Sequence, residues 1–251
     1  MKIVTSPREM QKILKTMAPP SIGFVPTMGA IHEGHLSLIK NSREHNLVTV
    51  VSIFVNPTQF NNPEDLKKYP RTLEQDQKLL QEANVDFLFL PNADEMYQDQ
   101  FNYSVVEKEK NAILCGSSRS GHFSGVLTVV LKLLQIIQPT RAYFGEKDFQ
   151  QVTLVRGMVD AFFIPTEIVT VSTQRDEAGL ALSSRNRRLS GYGIKKAQTF
   201  AKILKTAPSI QWAADELKAN DIEIDYLEDH WGRRFAAVSI ENVRLIDNVP
   251  L

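Results

Sequence analysis

Two histidines, three residues apart, follow a short apolar segment near the start of the chain. Residues 24–38 read F-V-P-T-M-G-A-I-H-E-G-H-L-S-L, and His32 and His35 stand where a helical pattern begins. Residues at this spacing share one face of a helix, and a helix start offers free N–H groups and a positive dipole end. The pattern therefore predicts a phosphate site, with Gly34 leaving room for a ligand to approach the backbone.

Two other interpretations of these histidines remain open. A strand, a glycine-bearing loop and a helix occur together in many α/β proteins, and single histidines are often structural. A zinc site is disfavoured because metalloprotease helices place their histidines four apart, as H-E-x-x-H, whereas this chain reads H-E-G-H.

Neutral amides and positive charges follow other predicted strands. Asn56 and Gln59 lie in N-P-T-Q-F after a β-branched segment, and amides that donate and accept suit a substrate with hydroxyl and carboxylate groups. Ordinary turn chemistry is the alternative for Asn56. Lys147 follows the strand that ends in F-G, where a point charge can reach phosphate. Two serines beside Arg185, in L-S-S-R-N, are a further candidate phosphate contact.

Three more residues have both a functional and a structural interpretation. Asp76 lies in the first turn of a predicted helix, where an acid complements the dipole or contributes to a Mg²⁺ site with substrate phosphates. Arg119 is a candidate contact for an anion or a carboxylate, ahead of G-H-F-S-G. His122 is more often a structural histidine at such a helix start.

The elements that position these residues alternate between strand and helix. Apolar, β-branched segments at 47–55, 85–90, 141–144 and 163–171 predict a parallel sheet covered on both faces, with a further strand considered at 102–106. The last part reads differently, with two helices followed by strands at 222–226, 235–240 and 243–246. We therefore expect an α/β domain over residues 1–173 and a small α+β domain over residues 174–251.

Composition limits the function classes. The 251 residues include 29 basic and 29 acidic side chains and one cysteine, which argues against broad binding to nucleic acid or anionic membranes. A single cysteine forms no internal disulfide and suggests a reducing compartment. The N-terminal residues lack the apolar core of a signal peptide, so we expect a cytoplasmic protein.

The candidate residues include no paired nucleophile and base of the triad kind. They offer phosphate ligands and neutral amides, which suit a reaction whose main difficulty is charge. A carboxylate that attacks the α-phosphate of ATP is such a reaction, and its catalysis rests on positioning and electrostatic stabilisation.

Six segments together resemble the pantothenate synthetase (pantoate–β-alanine ligase) family. They occur in the family's order between about residues 20 and 190, and read V-P-T-M-G-A-I-H-E-G-H-L-S-L, S-I-F-V-N-P-T-Q-F, Y-P-R-T-L, G-H-F-S-G-V-L-T-V-V, F-G-E-K-D-F-Q-Q and G-L-A-L-S-S-R-N. The H-x-G-H unit alone would indicate only the wider nucleotidyltransferase superfamily.

The resemblance implies a Rossmann-like parallel sheet flanked by helices, a smaller C-terminal α+β lid domain and a homodimer. It implies that pantoate and ATP form pantoyl adenylate and pyrophosphate, and that β-alanine then displaces AMP. His35 would be the general acid, with His32 and Lys147 on phosphate.

The remaining roles are also implied by the resemblance, and Mg²⁺ would be associated with Asp76. Pantoate would contact Gln59 and Gln151, with Asn56 as a further candidate. ATP would be bound by Met28, Gly29, Ala30, Ile31, His32, Glu33, Gly34, His35, Gly145, Glu146, Lys147, Asp148, Gln174, Leu182, Ser183, Ser184 and Arg185.

The chain departs from the family pattern at several positions. Gln174 stands where a valine usually contacts adenosine, Ser120 replaces a proline, and Gln75 stands where some members have a second acid. The C-terminal domain is expected to be short, with the loss near residues 229–234. The alternatives are a nucleotidyltransferase acting on a mononucleotide or a phosphopantetheine-like substrate, and a non-catalytic nucleotide sensor.

Overall fold

The first of two sheets contains six parallel strands. The computed structural model describes residues 1–251, and the strand order in this sheet is β1-β4-β3-β2-β5-β6. The strands are β1 (Lys2–Val4), β2 (Ile22–Thr27), β3 (Val48–Ile53), β4 (Phe87–Phe89), β5 (Arg141–Gly145) and β6 (Glu167–Val171). A parallel sheet of this kind confirms the α/β, Rossmann-like expectation.

Helices cover both faces of this sheet, so its central strands are apolar on both sides. All six residues of β3 are buried, and successive residues belong to different clusters, with Val50 on one face and Val51 on the other. The accompanying helices are α1 (Pro7–Met17), α2 (Glu33–His45), α3 (Pro63–Lys67), α4 (Leu73–Glu82), α5 (Ala93–Met96), α6 (Cys115–Ser118), α7 (His122–Ile137) and α8 (Phe149–Ala161). None of the helices is both long and apolar enough to span a membrane.

The strand order reverses at β2, which pairs with both β3 and β5. Open parallel sheets bind ligands outside the carboxyl ends of their strands at such a switch point. The loops that follow β2, β3 and β5 are those that carry the predicted histidines, amides and lysine. The topology therefore brings three separate sequence motifs to one edge.

A second, antiparallel sheet follows two helices and has its own hydrophobic cluster. Its helices are α9 (Gly191–Thr206) and α10 (Ile210–Ala219), and its strands are β7 (Glu223–His230), β8 (Arg233–Ile240) and β9 (Val243–Pro250). This confirms the predicted α+β character of the C-terminal part, although the strands are longer than expected.

The two parts are joined beside the loop that follows β5. Asn248 donates from Nδ2 to the backbone oxygen of Lys147 over 2.9 Å, and Arg233 pairs with Glu146 at 3.0 Å. Asp247, which is 3% exposed, accepts two hydrogen bonds from the Arg175 guanidinium. The position of the Lys147 loop therefore depends on residues from both parts.

Two expectations about strands are wrong. Residues 102–106 form no strand, because the Val105 amide donates to the Thr128 hydroxyl instead of to a neighbouring strand. The strand predicted at 163–171 begins only at Glu167, since Phe163 adopts a left-handed φ of 53°. Residues 2–4 and 63–67 form elements that the sequence patterns do not predict, because each is too short to show a periodicity.

The fold predicts a clear difference between two helical glycines. A Cβ at Gly125 would lie 2.5 Å from the backbone oxygen of Thr58, whereas one at Gly157 meets nothing within 4 Å. We expect Gly125→Ala to lower the free energy of unfolding by roughly 1–3 kcal/mol through overpacking. Gly157→Ala should be neutral or slightly stabilising, by about 1 kcal/mol at most. Urea denaturation of both variants measures this, and equal stabilities would contradict the packing described.

Candidate active site

A cleft of about 250 Å³ opens at the carboxyl ends of β2, β3 and β5. It is lined by residues from the parallel-sheet part and from the segment that precedes α9. The predicted site residues that line it are Met28, His32, Gly34, His35, Gln59, Gly145, Lys147, Asp148, Gln151, Gln174, Leu182, Ser183, Ser184 and Arg185. The structure thus brings together most of the predicted site residues, which lie up to about 150 positions apart in the sequence.

Several predicted nucleotide contacts do not line the cleft. Gly29, Ala30 and Ile31 are buried in the turn after β2, and Glu33 is exposed on α2. Glu146 points its carboxylate at Arg233 instead of into the cleft. These five residues shape the loops around the cleft, and their contact with ATP, which could use backbone groups, stays a prediction.

Asp76 holds the loop that carries the histidines. It is 1% exposed, and its two carboxylate oxygens accept hydrogen bonds from the backbone amides of Ala30 and Ile31, each at 2.8 Å. Thr72 donates a third bond over 3.0 Å. These bonds fix a turn in which Gly29 and Ala30 both have left-handed backbones, with φ of 82° and 51°.

The predicted role of Asp76 as a magnesium ligand does not fit this environment. A metal ligand needs a lone pair directed at the ion and access to it, whereas this carboxylate is enclosed and accepts three donors. No group of three His, Cys, Asp or Glu side chains is arranged to hold a metal ion elsewhere in the structure.

The two histidine rings lie against each other, with centroids 4.1 Å apart. His32 is the N-cap of α2 and accepts a hydrogen bond at Nδ1 from the Gly34 amide over 3.1 Å. A Cβ at Gly34 would lie 2.9 Å from that nitrogen. The glycine therefore makes room for the imidazole. It also lines the cleft, so the expectation that it leaves room for a ligand stays a prediction.

Both histidines are neutral at neutral pH in the unliganded protein. Burial, together with the charges of Lys147 and Arg187, lowers the pKa of His32 to about 4. Burial, His32 and the same two cations lower the pKa of His35 to about 3. His35 also has a buried Nδ1 with no hydrogen-bond partner. A site that repels protons in this way favours the arrival of an anion.

Asn56 does not face the cleft, contrary to its prediction as a substrate contact. It is 1% exposed, and its Oδ1 accepts from the hydroxyls of Thr58 and Tyr97. Its Nδ2 donates to Oε1 of Gln59 and to the backbone oxygen of Gly125, both over 3.1 Å. With every polar atom engaged, Asn56 orients Gln59, which does line the cleft.

Gln151 and Lys147 are available to a ligand. Gln151 makes no side-chain hydrogen bond within the protein, and the Lys147 ammonium lies 3.8 Å from its nearest carboxylate, Asp148. The neighbouring Gln150 has the opposite arrangement, because its amide bonds to the backbone of Lys110, Ile113 and Cys115. Gln150 therefore has a structural role, whereas the neighbouring Gln151 is open to the cleft.

The serine-arginine segment reaches the cleft from the other side. Ser183 caps a short 3-10 helix by accepting from the Arg185 amide, and Ser184 contacts the Tyr69 hydroxyl over 3.2 Å. Arg185 and Arg188 both pair with Asp65, at 3.4 and 2.6 Å. Sequence reasoning did not find Asp65, because nothing in its short helix indicates distant arginine partners.

Arg187 is another site residue that sequence reasoning did not single out. It donates from Nη2 to the backbone oxygen of Ile31 over 2.9 Å, and thereby ties the serine-arginine segment to the histidine loop. In the sequence, the three arginines of R-N-R-R indicate only a positive cluster. The only signal in the sequence is a group of positive charges in a turn, and this pattern does not identify a partner.

The depressed histidine pKa values predict how stability depends on pH. His122, whose pKa is lowered to about 3 by burial and by Arg119, stays neutral while an unfolded histidine gains a proton below about pH 6.5. Stability should therefore fall as the pH falls, by about 1–2 kcal/mol for this residue between about pH 7 and about pH 5.

Urea unfolding at the two pH values, with His122→Asn as the comparison, measures this effect. The asparagine Nδ2 can replace Nδ1 as donor to the Gln59 carbonyl oxygen, so the variant keeps that bond and loses the titration. We expect a shallower dependence on pH in the variant. An equal dependence in both proteins would show that His122 is not held neutral.

Comparison with known proteins identifies the family. The family model described as pantoate-beta-alanine ligase matches residues 2–250. The pantothenate synthetase of Bdellovibrio bacteriovorus is 49% identical, covering 100% of this chain and 99% of that relative. The pantothenate synthetase of Legionella pneumophila strain Corby is 48% identical, with both chains covered completely. The chain is therefore not shortened relative to these two proteins.

Solved structures agree in fold over the whole chain. The pantoate-beta-alanine ligase of Francisella tularensis, complexed with beta-gamma ATP and beta-alanine, superimposes with a TM-score of 0.95 at 44% identity, covering 100% of this chain and 97% of that one. The pantothenate synthetase of Thermus thermophilus gives a TM-score of 0.91 at 41% identity, covering 100% and 99%. On these matches to the full chain, together with the cleft, the chain belongs to the pantoate–β-alanine ligase family.

Proposed function

We propose that the chain is an ATP-dependent ligase that condenses pantoate and β-alanine into pantothenate, with release of AMP and pyrophosphate. The observation that carries this proposal is the single cleft in which His32, His35 and Lys147 face Gln59 and Gln151. The cations and imidazoles suit the phosphates, and the amides suit a hydroxy acid. The family assignment supports the same pairing of substrates.

The first step joins two anions. The pantoate carboxylate oxygen attacks the α-phosphorus of ATP, the bond to the bridging oxygen breaks, and pyrophosphate leaves with that electron pair. No side chain of the cleft needs to form a covalent intermediate. Lys147, Arg185 and the histidine pair stabilise the charge that develops on the phosphates, which is the term that dominates such catalysis.

Gln59 and Gln151 hold the attacking acid in this proposal. Gln59 is fixed by Asn56 on one side and contacts Met28 Sδ from Nε2 at 3.2 Å. Gln151 brings an amide with no partner in the protein, so a bound hydroxyl or carboxylate meets an unsatisfied donor. Orientation of the carboxylate towards the phosphorus supplies the entropic part of the rate enhancement.

The protonation of His35 depends on ATP in this account. Its pKa is about 3 without ligand because of burial, His32 and two cations. Phosphate charges in the cleft oppose these influences and raise the pKa. His35 therefore donates a hydrogen bond from neutral imidazole first, and becomes an acid only once the polyphosphate is bound.

The second step uses the mixed anhydride formed in the first. The neutral amine of β-alanine attacks the acyl carbon of pantoyl adenylate, the bond from carbon to the AMP oxygen breaks, and the amine loses a proton. The acyl group is neutral at this stage, so the remaining negative charges are those of AMP and of the β-alanine carboxylate.

Residues 174–251 form the cover of the site in this proposal. Ser183, Ser184, Arg185 and Gln174 contribute to the cleft lining from this part of the chain. We also propose a cytoplasmic homodimer, in keeping with the family resemblance and with a single buried cysteine. Sedimentation velocity of the purified chain tests the dimer, and a monomer at micromolar concentration would contradict it.

Two other functions make different predictions. A nucleotidyltransferase would release pyrophosphate in the presence of a mononucleotide or a phosphopantetheine-like substrate, and a nucleotide sensor would bind ATP without turnover. Pantoate-dependent exchange of labelled pyrophosphate into ATP, measured without β-alanine, separates the three. Exchange that requires pantoate supports the ligase, and its absence in active, folded protein contradicts it.

The catalytic histidine can be tested against a histidine on the same helix. We expect His35→Gln to slow pantoate-dependent exchange on the order of 10²–10³-fold, the usual cost of losing one donor to developing charge. His45 is exposed at the other end of α2, so His45→Gln should leave exchange unchanged. Similar rates for both variants would remove His35 from the proposed mechanism.

Asp76 offers a test of its structural role. We expect Asp76→Asn to lower the free energy of unfolding by roughly 1.5–3 kcal/mol, since charge-assisted bonds to two backbone amides are weakened. The Mg²⁺ concentration for half-maximal exchange should stay unchanged. A large increase in that concentration, with stability preserved, would instead restore Asp76 as a metal ligand.

A further inference from the structure

The cleft contains an arginine that the two steps above do not use. Arg119 lines the cleft between α6 and α7, and it is the only cleft arginine with no carboxylate within ion-pair distance. Arg185 pairs with Asp65 and Arg244 pairs with Asp225, at 3.4 and 2.7 Å. A half-buried cation that lacks a counter-charge calls for an anionic ligand.

The neighbours of Arg119 orient it without neutralising it. One amino group donates to Nε2 of His122 and the other to the backbone oxygen of Gln59, both over 3.1 Å. His122 in turn donates from Nδ1 to the same oxygen over 2.8 Å. Two of the five N–H groups of a guanidinium are used in this way, which leaves three for a ligand.

The cationic groups of the cleft fall into two sets. The cations that lower the pKa of His35 are Lys147 and Arg187, whereas those that lower the pKa of Arg119 are Arg185 and Arg244, with Asp65 and Cys115 acting in the opposite direction. Burial and these two arginines lower the pKa of Arg119 to about 10, and the group remains charged at neutral pH. The cleft therefore carries positive charge around Arg119 as well as at the histidine and lysine centre, and Arg185, assigned above to the phosphates, acts on Arg119 too.

The reaction involves one anion that the histidine and lysine centre is not suited to bind. The phosphates of ATP and the pantoate carboxylate meet at the histidines and Lys147, and that carboxylate is consumed when the anhydride forms. The β-alanine carboxylate takes no part in bond making and is still present in the product. Two carbon atoms separate it from the reacting amine, so its counter-charge must lie near the acyl group but away from the phosphates.

We propose that Arg119 binds the carboxylate of β-alanine and thereby selects an amino acid over a simple amine as the second substrate. This inference rests on the proposed ligase function. The guanidinium is held beside Gln59, the residue proposed to hold pantoate, by the Gln59 backbone oxygen. When β-alanine is bound there through its carboxylate, its amine is directed at the acyl group that Gln59 holds.

The test compares β-alanine with propylamine, which has the same chain length and no carboxylate. For the unaltered protein we expect kcat/KM for β-alanine to exceed that for propylamine, with pantoyl adenylate formed in both cases. In Arg119→Met the KM for β-alanine should rise on the order of 10²-fold, as for the loss of one partner of a buried charge pair. The rate with propylamine should change little, so the discrimination collapses.

Two further variants separate recognition from folding. Arg119→Lys keeps the charge without the fork and should recover part of the preference for β-alanine. Arg156 lies on α8 away from the cleft and bonds to the Thr170 hydroxyl, so Arg156→Met is the matched control and should behave as the unaltered protein. His122 still donates to the Gln59 oxygen in Arg119→Met, which keeps that loop in place.

Pantoate-dependent exchange of pyrophosphate into ATP distinguishes a failure of the Arg119 inference from a failure of the ligase function. Exchange that is normal in Arg119→Met, with a selective loss of β-alanine use, supports the inference. A raised KM for pantoate in exchange would show that Arg119 positions Gln59 or binds pantoate, and an unchanged preference for β-alanine would also overturn the inference. No exchange in the unaltered protein would instead refute the ligase function itself.

Discussion

The site depends on the carboxylate of Asp76, which accepts the backbone amides of Ala30 and Ile31 at 2.8 Å each. These bonds hold a left-handed turn between β2 and α2, and the turn sets where the first helical residues begin. His32 caps that helix and packs against His35. Because the strand order reverses at β2, this turn opens directly onto the edge where the loops after β3 and β5 also end.

Charge is distributed in the cleft as the proposed chemistry requires. Lys147 and Arg187 lie near the neutral imidazoles and create a positive potential that favours phosphate. In the proposed reaction the amides of Gln59 and Gln151 hold the acid without adding a further positive charge that would bind it too tightly to react. Arg119 donates to the backbone oxygen of Gln59, and its lack of a carboxylate partner distinguishes it from Arg185. In the proposed reaction each group has a different partner among the three substrates.

Sequence patterns predicted the architecture and the main loops, but they predicted side-chain direction poorly. Proline at the end of β2 and the helical spacing after it located His32 and His35 correctly. The loop-holding role of Asp76 is not visible in the sequence, because its partners are backbone amides 45 and 46 positions away, which leave no trace in residue types. Asn56 and Gln59 are both amides in one loop, and only the contacts with Gly125 and Tyr97 decide which of them is buried.

The sequence patterns also do not predict where individual strands and helices begin and end. The predicted strand at 102–106 has suitable residue types, but a threonine on α7 takes the backbone donor that a sheet would need. Arg119 was noted as a carboxylate candidate from its type and place. Its lack of an ion-pair partner, which makes it informative, is a property of three-dimensional distances alone.

In the proposed mechanism a carboxylate attacks the α-phosphorus of ATP at the histidine and lysine centre. Pantoate labelled with ¹⁸O in its carboxylate tests this directly, because the oxygen that forms the anhydride stays with phosphorus when the amine attacks carbon. In a complete reaction with ATP and β-alanine, mass spectrometry should find one ¹⁸O atom in AMP and none in pyrophosphate. Label in orthophosphate, with ADP as the nucleotide product, would contradict the account by placing the attack on the γ-phosphorus.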